Sequence, residues 1–179
     1  MADLGFGGPR GSVIQMAYTV PDLRAAIDYW INDLNVGPWF LLEHWTGTNP
    51  VYRGGPSSAD MAIAMSFAGH MNIELMQPND RNPSVYREAI ERKGYGFHHF
   101  GVASDNVDAD AARLEQQGYS IAFRAGVPTG GDVIYMEKGH DQPGFLELIP
   151  ATQGMDEAFT AFWSATREWD GRDPVRPFM

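Results

Sequence analysis

Four side chains able to bind a metal ion occupy matching places in two similar halves of the sequence. Gln15 opens the apolar segment QMAYTV, and His99 opens the similar segment HFGVAS. Glu74 is central in NIELM, and Glu147 is central in FLELI; each of these segments ends close to a proline. Two carboxylates, one imidazole and one amide oxygen form a ligand set suited to a divalent cation. The pattern predicts one metal site built by a duplicated module.

The chemistry of such a site follows from its ligands. Oxygen donors with one nitrogen suit Zn²⁺, Ni²⁺, Co²⁺, Mn²⁺ or Mg²⁺, and the sequence does not separate these ions. A divalent ion with open positions polarises a carbonyl group, and it stabilises the enolate that forms when a neighbouring C–H bond loses its proton. A carboxylate ligand that can leave the ion would be the base for that step.

The same residues also have plainer interpretations. A buried glutamine that bonds to the backbone would give the same pattern at Gln15, and an exposed face of an edge strand would account for Glu74 and Glu147. His98 and His99 compete for one role. Alternation along a strand favours His99 as the partner of Gln15, and it turns His98 to the opposite side of the sheet.

Other polar side chains are weaker candidates. His70 and His140 fall in expected hairpin turns and are predicted to be exposed. His44 is interpreted as an ordinary strand histidine, with a place in the pocket wall as the alternative. Three cations are candidates for anchoring an anionic substrate: Arg53, Arg124 and Lys138.

The elements that position these residues repeat in the order βαβββ. In the first half, alternation and helical periodicity predict a strand over 13–20, a helix after the capping residue Asp22, and strands over 39–45, 61–67 and 71–76. In the second half they predict a strand over 97–103, a helix over 107–117, and strands over 119–124, 132–137 and 144–149. A helix over 84–93 links the halves, and an amphipathic helix over 155–169 follows them.

This order predicts an α+β fold in which two βαβββ modules place their sheets edge to edge as one curved open sheet, with a C-terminal helix. The expected domain covers residues 12–150, made of modules 12–80 and 95–150, and residues 151–179 form the terminal helix and tail. We expect residues 1–11 to be a loose lead-in. The glycine-rich and proline-rich stretch 46–59 is expected to be a loop long enough to act as a pocket flap.

Bulk properties exclude several classes of function. A chain of 179 residues with a formal net charge of −10 lacks the basic surface that nucleic acids or anionic membranes require. It contains no cysteine, which excludes disulfides and thiolate chemistry. No apolar run approaches the roughly 18 residues that span a bilayer, and no signal-peptide core opens the chain. A small-molecule substrate and a cytoplasmic location are the resulting expectations.

Three motifs carry a resemblance to a known family: GFHH at 96–99, NIEL at 72–75 and FLEL at 145–148. With the duplicated βαβββ order, they resemble the vicinal oxygen chelate superfamily, which includes glyoxalase I, methylmalonyl-CoA epimerase, extradiol dioxygenases and bleomycin-resistance proteins. The resemblance covers about Val13 to Pro150. The short second-half loops are most similar to the epimerase branch, whereas the ligand set resembles that of eukaryotic glyoxalase I.

The sequence departs from each branch at defined positions. In our alignment Ala62 stands where the epimerases carry a second carboxylate base, and Asp60 is the nearest acid. Thr19 and Pro78 stand where glyoxalase I has residues that hold glutathione. Gln15 replaces the first histidine of the extradiol dioxygenases, which need two histidines and one glutamate around Fe²⁺.

The resemblance implies a divalent-metal-dependent isomerase, epimerase or lyase that acts on a small carbonyl, hydroxy-carbonyl or thioester compound through an enolate. Gln15, Glu74 and His99 would hold the metal, and Glu147 would be the ligand that shuttles the proton. The alternative is a ligand-sequestering protein of the bleomycin-resistance type, and a ring-cleaving dioxygenase comes third. A homodimer is expected, because edge-to-edge dimers are normal for this architecture.

Overall fold

One mixed sheet of eleven strands organises the chain in a computed structural model, which describes residues 3–139 and 142–179. The strands are β1 (Val13–Thr19), β2 (Trp39–Trp45), β3 (Thr48–Tyr52), β4 (Gly55–Pro56), β5 (Met61–Ala68), β6 (Met71–Pro78), β7 (Gly96–Ser104), β8 (Ser120–Gly126), β9 (Asp132–Glu137), β10 (Phe145–Pro150) and β11 (Val175–Pro177). The helices are α1 (Leu23–Asn32), α2 (Val85–Lys93), α3 (Val107–Gln116) and α4 (Gln153–Arg167).

The two modules repeat one strand arrangement on either side of a central pair. The sheet order is β11-β2-β5-β6-β1-β7-β10-β9-β8-β3-β4. β6 runs parallel to β1, and β10 runs parallel to β7 in the same way. β1 and β7 pair antiparallel and join the modules edge to edge. The predicted α+β fold of two βαβββ modules with a curved open sheet and a C-terminal helix is confirmed.

The stretch 46–59 differs from its prediction as a loop. It contains β3 and β4, and β3 pairs with β8 at the far edge of the second module. Arg53, in the turn after β3, donates to Glu88 on α2 at 2.7 Å and to Glu137 on β9 at 3.0 Å. β2 lies near one edge of the sheet and β8 near the opposite edge. Because the hairpin follows β2 in the chain and pairs with β8, the sheet must curve to bring the two edges together. A pairing between such distant segments leaves no signal in a local sequence window.

The prediction of a loose N-terminal segment is wrong for residues 3–11, the part of that segment that the structure describes. Leu4 and Phe6 are buried, and the ring of Phe6 lies 5.3 Å from that of Phe67 and 5.9 Å from that of Phe159. Two apolar side chains among glycines gave too short a pattern to indicate burial. The segment closes the apolar core beneath α4.

The predicted helices form, and α1 begins at its expected cap, Asp22. Asp22 accepts a hydrogen bond from the amide of Ala25 at the start of α1, and Ser84 does the same for Arg87 in α2. Because Thr152 caps α4, that helix begins two residues earlier than predicted and ends at Arg167.

α4 packs against the first module, with Phe162 stacked on Phe40 at a ring-centroid distance of 4.0 Å. The chain then adds β11, which pairs parallel with β2 and was not predicted. No helix in the described parts of the chain combines the length and apolar character needed to cross a bilayer.

Candidate metal centre

Four neighbouring strands bring the four predicted ligands to the concave face of the sheet. On the central pair, Ala17 lies opposite His99, and it is also the parallel partner of Glu74. Gln15 precedes Ala17 by two residues and therefore shares its face. Its cross-strand partner on β7 is Gly101, which in turn pairs with Glu147 on β10. Duplication of the module thus places equivalent strand positions around one point.

The side chains converge on the Nε2 atom of His99. That atom lies 3.0 Å from Glu147 Oε2, 3.3 Å from Gln15 Oε1 and 3.4 Å from Glu74 Oε2. The ligand atoms of the two glutamates and the histidine all lie within 4.8 Å of one another, and they form the only such group among the described residues. All four side chains are buried. An exposed edge-strand face is therefore wrong as an account of Glu74 and Glu147.

A side-chain relay orients the Gln15 amide. Its Nε2 donates to Asn72 Oδ1 at 3.0 Å, and Asn72 Nδ2 donates to the carbonyl oxygen of Ser66 at 3.3 Å. The amide oxygen of Gln15 is thereby left to face the centre. The plainer interpretation, a glutamine bonded to the backbone, is wrong, and Asn72 is a positioning residue that sequence reasoning missed.

Gly101 provides the space for this arrangement. A Cβ at this position would lie 2.6 Å from Gln15 Oε1, 2.8 Å from Gln15 Cβ and 2.5 Å from Ile149 Cδ1. Such distances are shorter than real carbon contacts allow, so any side chain would displace the Gln15 amide. The glycine is required here by close approach rather than by its backbone angle.

His98 lies on the same side of the sheet as His99, which contradicts the prediction from alternation. The register slips by one residue at this point, since Ala17 faces His99 while Tyr18 faces Phe97. A bulge of this kind leaves an extra residue unpaired and re-aims its side chain. His98 consequently packs its ring on Tyr86 at a centroid distance of 5.1 Å.

The two histidines fix each other's tautomers. His98 Nε2 lies 3.3 Å from the carbonyl oxygen of Val85, which can only accept a hydrogen bond. Neutral His98 therefore offers the lone pair of Nδ1, and His99 Nδ1–H donates to it over 2.9 Å. The lone pair of His99 Nε2 is then directed at the centre, as a metal ligand requires.

Burial sets the protonation states. Desolvation lowers the pKa of His99 to about 3, so this imidazole is neutral at physiological pH. Desolvation raises the pKa of Glu147 to about 8, and desolvation together with the charge of Glu147 raises the pKa of Glu74 well above its usual value. The short contact between His99 and Glu147 is therefore a hydrogen bond from a protonated carboxyl group and not an ion pair.

The donor set fits a divalent cation. Glu74 Oε2 is buried and has no hydrogen-bond partner, which is costly for a carboxyl oxygen unless something else binds it. Two ionised carboxylates would neutralise a doubly charged ion, and the neutral imidazole and amide oxygen complete four ligands. Gln15, Glu74, His99 and Glu147 would hold such an ion.

A cavity of about 60 Å³ leads to this centre. Its floor includes Gln15, Glu74 and Glu147, so three of the four candidate ligands are reached from it. Its walls are mainly apolar and come from both modules, the turn after β8, α4 and the C-terminal tail. The contribution of α4, through Met155 and Phe159, was not predicted, because its amphipathic pattern indicates packing and not what it packs against.

The cavity has no second carboxylate base on β5. Ile63 and Met65 are the β5 residues that line it, whereas Ala62 packs on the opposite side of the strand. Asp60 lies outside the lining and is held by His44, whose Nδ1 is 2.6 Å from its Oδ2. Tyr135, which lines the cavity next to Glu147, is a further polar residue that sequence reasoning missed.

The remaining candidates lie away from the centre. His44 is an exposed strand residue and His70 an exposed turn residue, both as predicted, and His140 lies outside the described residues. Arg124 pairs with Asp108 and Asp132, and Arg53 pairs with its two glutamates, so neither cation is free to anchor a substrate. Lys138 lies over the ring of Tyr119 and does not line the cavity.

Comparison with solved structures shows the same fold. A methylmalonyl-CoA epimerase from Mycobacterium tuberculosis is 17% identical with a TM-score of 0.57, over 81% of this chain and 91% of that one. A Streptomyces coelicolor methylmalonyl-CoA epimerase variant is 15% identical with a TM-score of 0.57, over 80% and 96%. A hypothetical protein from Bacillus halodurans is 14% identical with a TM-score of 0.57, over 79% and 95%. At these identities the likeness establishes the fold alone.

Sequence comparison gives the family. No curated protein sequence matches the chain. The family model described as Glyoxalase/Bleomycin resistance protein/Dioxygenase superfamily matches residues 14–135, which include Gln15, Glu74 and His99. The chain therefore belongs to the glyoxalase, bleomycin-resistance protein and dioxygenase superfamily.

Proposed function

We propose that this protein is a divalent-metal-dependent enzyme that moves a proton on a small carbonyl, hydroxy-carbonyl or thioester compound through an enolate. The observation that carries the proposal is the convergence of Glu74, Glu147 and Gln15 on His99 Nε2 at the floor of a cavity. The similarity of the fold to methylmalonyl-CoA epimerases supports the same class of chemistry.

In the proposed reaction the metal site polarises the carbonyl group and Glu147 transfers the proton. A bound divalent ion would supply electrophilic polarisation of the carbonyl oxygen. Glu147, ionised in the loaded site, takes the proton from the carbon beside the carbonyl, and the C–H electron pair becomes the C=C bond of the enolate. The protonated Glu147 then returns the proton to carbon. The site is buried, so water does not compete with the carbon atom for the proton that Glu147 carries.

The absence of an acid from the cavity face of β5 favours reactions that need one base. A single carboxylate can move a proton between adjacent carbons or start an elimination, whereas inversion at one carbon needs a donor on the opposite face. Isomerisation or lyase chemistry is therefore our first proposal, and epimerisation is the second. Tyr135, a phenol that lines the cavity, could serve as the second group of a two-sided mechanism.

Metal content is the first test. We would purify the protein without chelators and measure bound metals by mass spectrometry, beside a Glu74→Gln/Glu147→Gln variant. Glutamine matches the size and neutrality of the protonated carboxyl groups, so the variant should fold. We expect about one Zn, Ni, Co, Mn or Mg ion per chain in the wild type and loss of that ion in the variant. Glu43→Gln, at an exposed carboxylate, is the matched control and should retain the metal.

Proton exchange tests the reaction. Small 2-hydroxy ketones, 2-hydroxy aldehydes and thioesters would be incubated in D₂O with the metal-loaded protein and followed by NMR. We expect deuterium at the carbon beside a carbonyl, and a loss of at least about 100-fold in Glu147→Gln. Failure of the wild type to take up any divalent metal would overturn the enzyme proposal. It would favour the ligand-sequestering alternative, which the apolar cavity walls could also serve.

A further inference from the structure

The lining of the cavity contains acidic side chains but no basic ones among the described residues. Among the described residues that line it, the only groups able to carry charge near neutral pH are Glu74 and Glu147, and no lysine or arginine is present. Most of the remaining lining is aliphatic or aromatic, with Trp45, Phe159 and Phe178 among its largest members. Arg53 and Arg124, two of the cations that the sequence offered as substrate anchors, are each paired with two carboxylates away from the cavity lining.

We propose that this cavity accepts uncharged carbonyl compounds with an apolar or aromatic substituent and discriminates against anionic ones. The inference rests on the proposed function, because it takes the same cavity as the substrate site. It goes further by naming the class of substrate.

The charges at the floor of the cavity favour an uncharged substrate. A divalent ion and the two ionised glutamates sum to zero, so an uncharged substrate leaves the buried site neutral. When Glu147 takes the proton, the negative charge moves from the carboxylate to the enolate, and the sum stays at zero throughout. An anionic substrate would add an unpaired charge to an apolar cavity, and such a charge is strongly disfavoured without a cation.

The apolar walls supply the other half of the specificity. Leu42, Ile63 and Met65 line the side given by the first module, and Val133 and Ile149 line the side given by the second. Removing an apolar substituent from water against these side chains favours binding in proportion to the area buried. A carbonyl or hydroxyl group at one end of the ligand can meanwhile reach the polar floor.

The test compares two ligands of one size that differ in charge. Mandelamide and mandelate share a phenyl ring and a vicinal pair of oxygens, but only mandelate is an anion at pH 7. Dissociation constants would be measured by isothermal titration calorimetry, with both metal-free and zinc-supplemented protein. We expect mandelamide to bind at least tenfold more tightly in both. Mandelate binding equally or more tightly, or neither ligand binding, would overturn the inference.

A rim variant tests the electrostatic cause. Val127 lines the cavity and is half-buried, and its backbone amide is held by the carbonyl oxygen of Gly131. Val127→Lys should lower the ratio of the mandelate to the mandelamide dissociation constant at least fivefold. Val127→Met, whose side chain is similar in length to lysine but uncharged, should leave that ratio unchanged. Equal effects of the two substitutions would show that the shape of the cavity sets the preference for mandelamide, which would contradict an electrostatic cause.

These outcomes separate the inference from the proposed function. Zinc uptake is measured independently of ligand binding, and the charge preference can be read in the metal-free protein. A protein that binds no metal but prefers mandelamide would contradict the enzyme proposal alone. A protein that binds zinc but prefers mandelate would contradict the substrate class alone.

Discussion

At the scale of single residues, the centre depends on groups that touch the candidate ligands without being ligands. His98 is the clearest example, because its Nδ1 accepts a hydrogen bond from His99 Nδ1–H while its Nε2–H donates to the Val85 carbonyl oxygen. Partners of this kind fix the tautomer and ring orientation of metal-binding histidines, and their loss typically costs about 10-fold to 100-fold in metal affinity.

We therefore expect His98→Phe to weaken zinc binding by about 10-fold or more. Phenylalanine keeps a ring that can stack on Tyr86 but offers no acceptor to His99. Isothermal titration with zinc measures the change, and His44→Phe, at a side chain 77% exposed, is the control. An unchanged affinity in His98→Phe would show that the tautomer of His99 is set without His98.

Gly101 gives a second prediction at this scale. Gly101→Ala would force the Gln15 amide away from the centre, because the new methyl group needs the space of Gln15 Oε1. We expect at least a tenfold loss of zinc affinity and a stability loss of about 1–3 kcal/mol from overpacking. Gly55→Ala is the matched control, since its nearest contact would be 3.8 Å from the Tyr52 carbonyl oxygen. Full zinc affinity in Gly101→Ala would mean that Gln15 is not a ligand.

At the scale of elements, the hairpin of β3 and β4 connects the first module to the far edge of the second. Arg53 holds its turn through Glu88 and Glu137, and Tyr52 adds a hydrogen bond from its hydroxyl to Glu88 at 2.8 Å. The Arg53 side chain is 39% exposed, so solvent screens part of this attraction.

Arg53→Met should lower the free energy of unfolding by about 1 kcal/mol at low salt, and by less in 1 M salt. Urea unfolding measures both values. Arg24→Met removes a more exposed pair with Glu43 and should cost less than about 0.5 kcal/mol. If the two variants lose the same stability, the hairpin is held by its pairing with β8 and not by Arg53.

At the scale of the whole molecule, the buried carboxyl groups couple stability to pH. The pKa of Glu147 is about 8 in the folded chain, against an ordinary value of 4.5, and that of Glu74 is raised as well. Between pH 4.5 and pH 8 the folded metal-free protein retains carboxyl protons that the unfolded chain has released. The stabilising contribution of protonated Glu147 should therefore be fully present below about pH 4.5 and be lost as pH rises towards 8, by about 1.4 kcal/mol per pH unit. Protonated Glu74 contributes in the same direction.

Melting temperatures of chelator-treated protein between pH 5 and 8 would measure this dependence. Glu147→Gln should show a shallower decline, and Glu43→Gln should match the wild type. Zinc should stabilise more strongly as pH rises, because binding must displace fewer protons from the glutamates. A flat profile in the wild type would show that the carboxyl groups ionise normally in the folded chain. The expected homodimer stays a prediction, which sedimentation velocity would test.

The amino-acid pattern alone was enough to predict the repeated module, most of its strands and helices, and the four candidate ligands. Local signals were sufficient because strand alternation and helix caps depend on neighbours in the chain. Gln15, Glu74, His99 and Glu147 were found because the duplication repeats their positions, and edge-to-edge pairing of β1 and β7 then brings them together.

Other features became visible in the folded chain alone, because they depend on contacts between distant segments. The slip of register at His98, the pairing of β3 with β8, and the burial of Phe6 under α4 each join parts far apart in sequence. The absence of cations from the described cavity wall is of the same kind, because arginines are present in the sequence and only folding commits them to other carboxylates. Local patterns identify the groups that can do chemistry, whereas packing decides the charge and shape of the space around them.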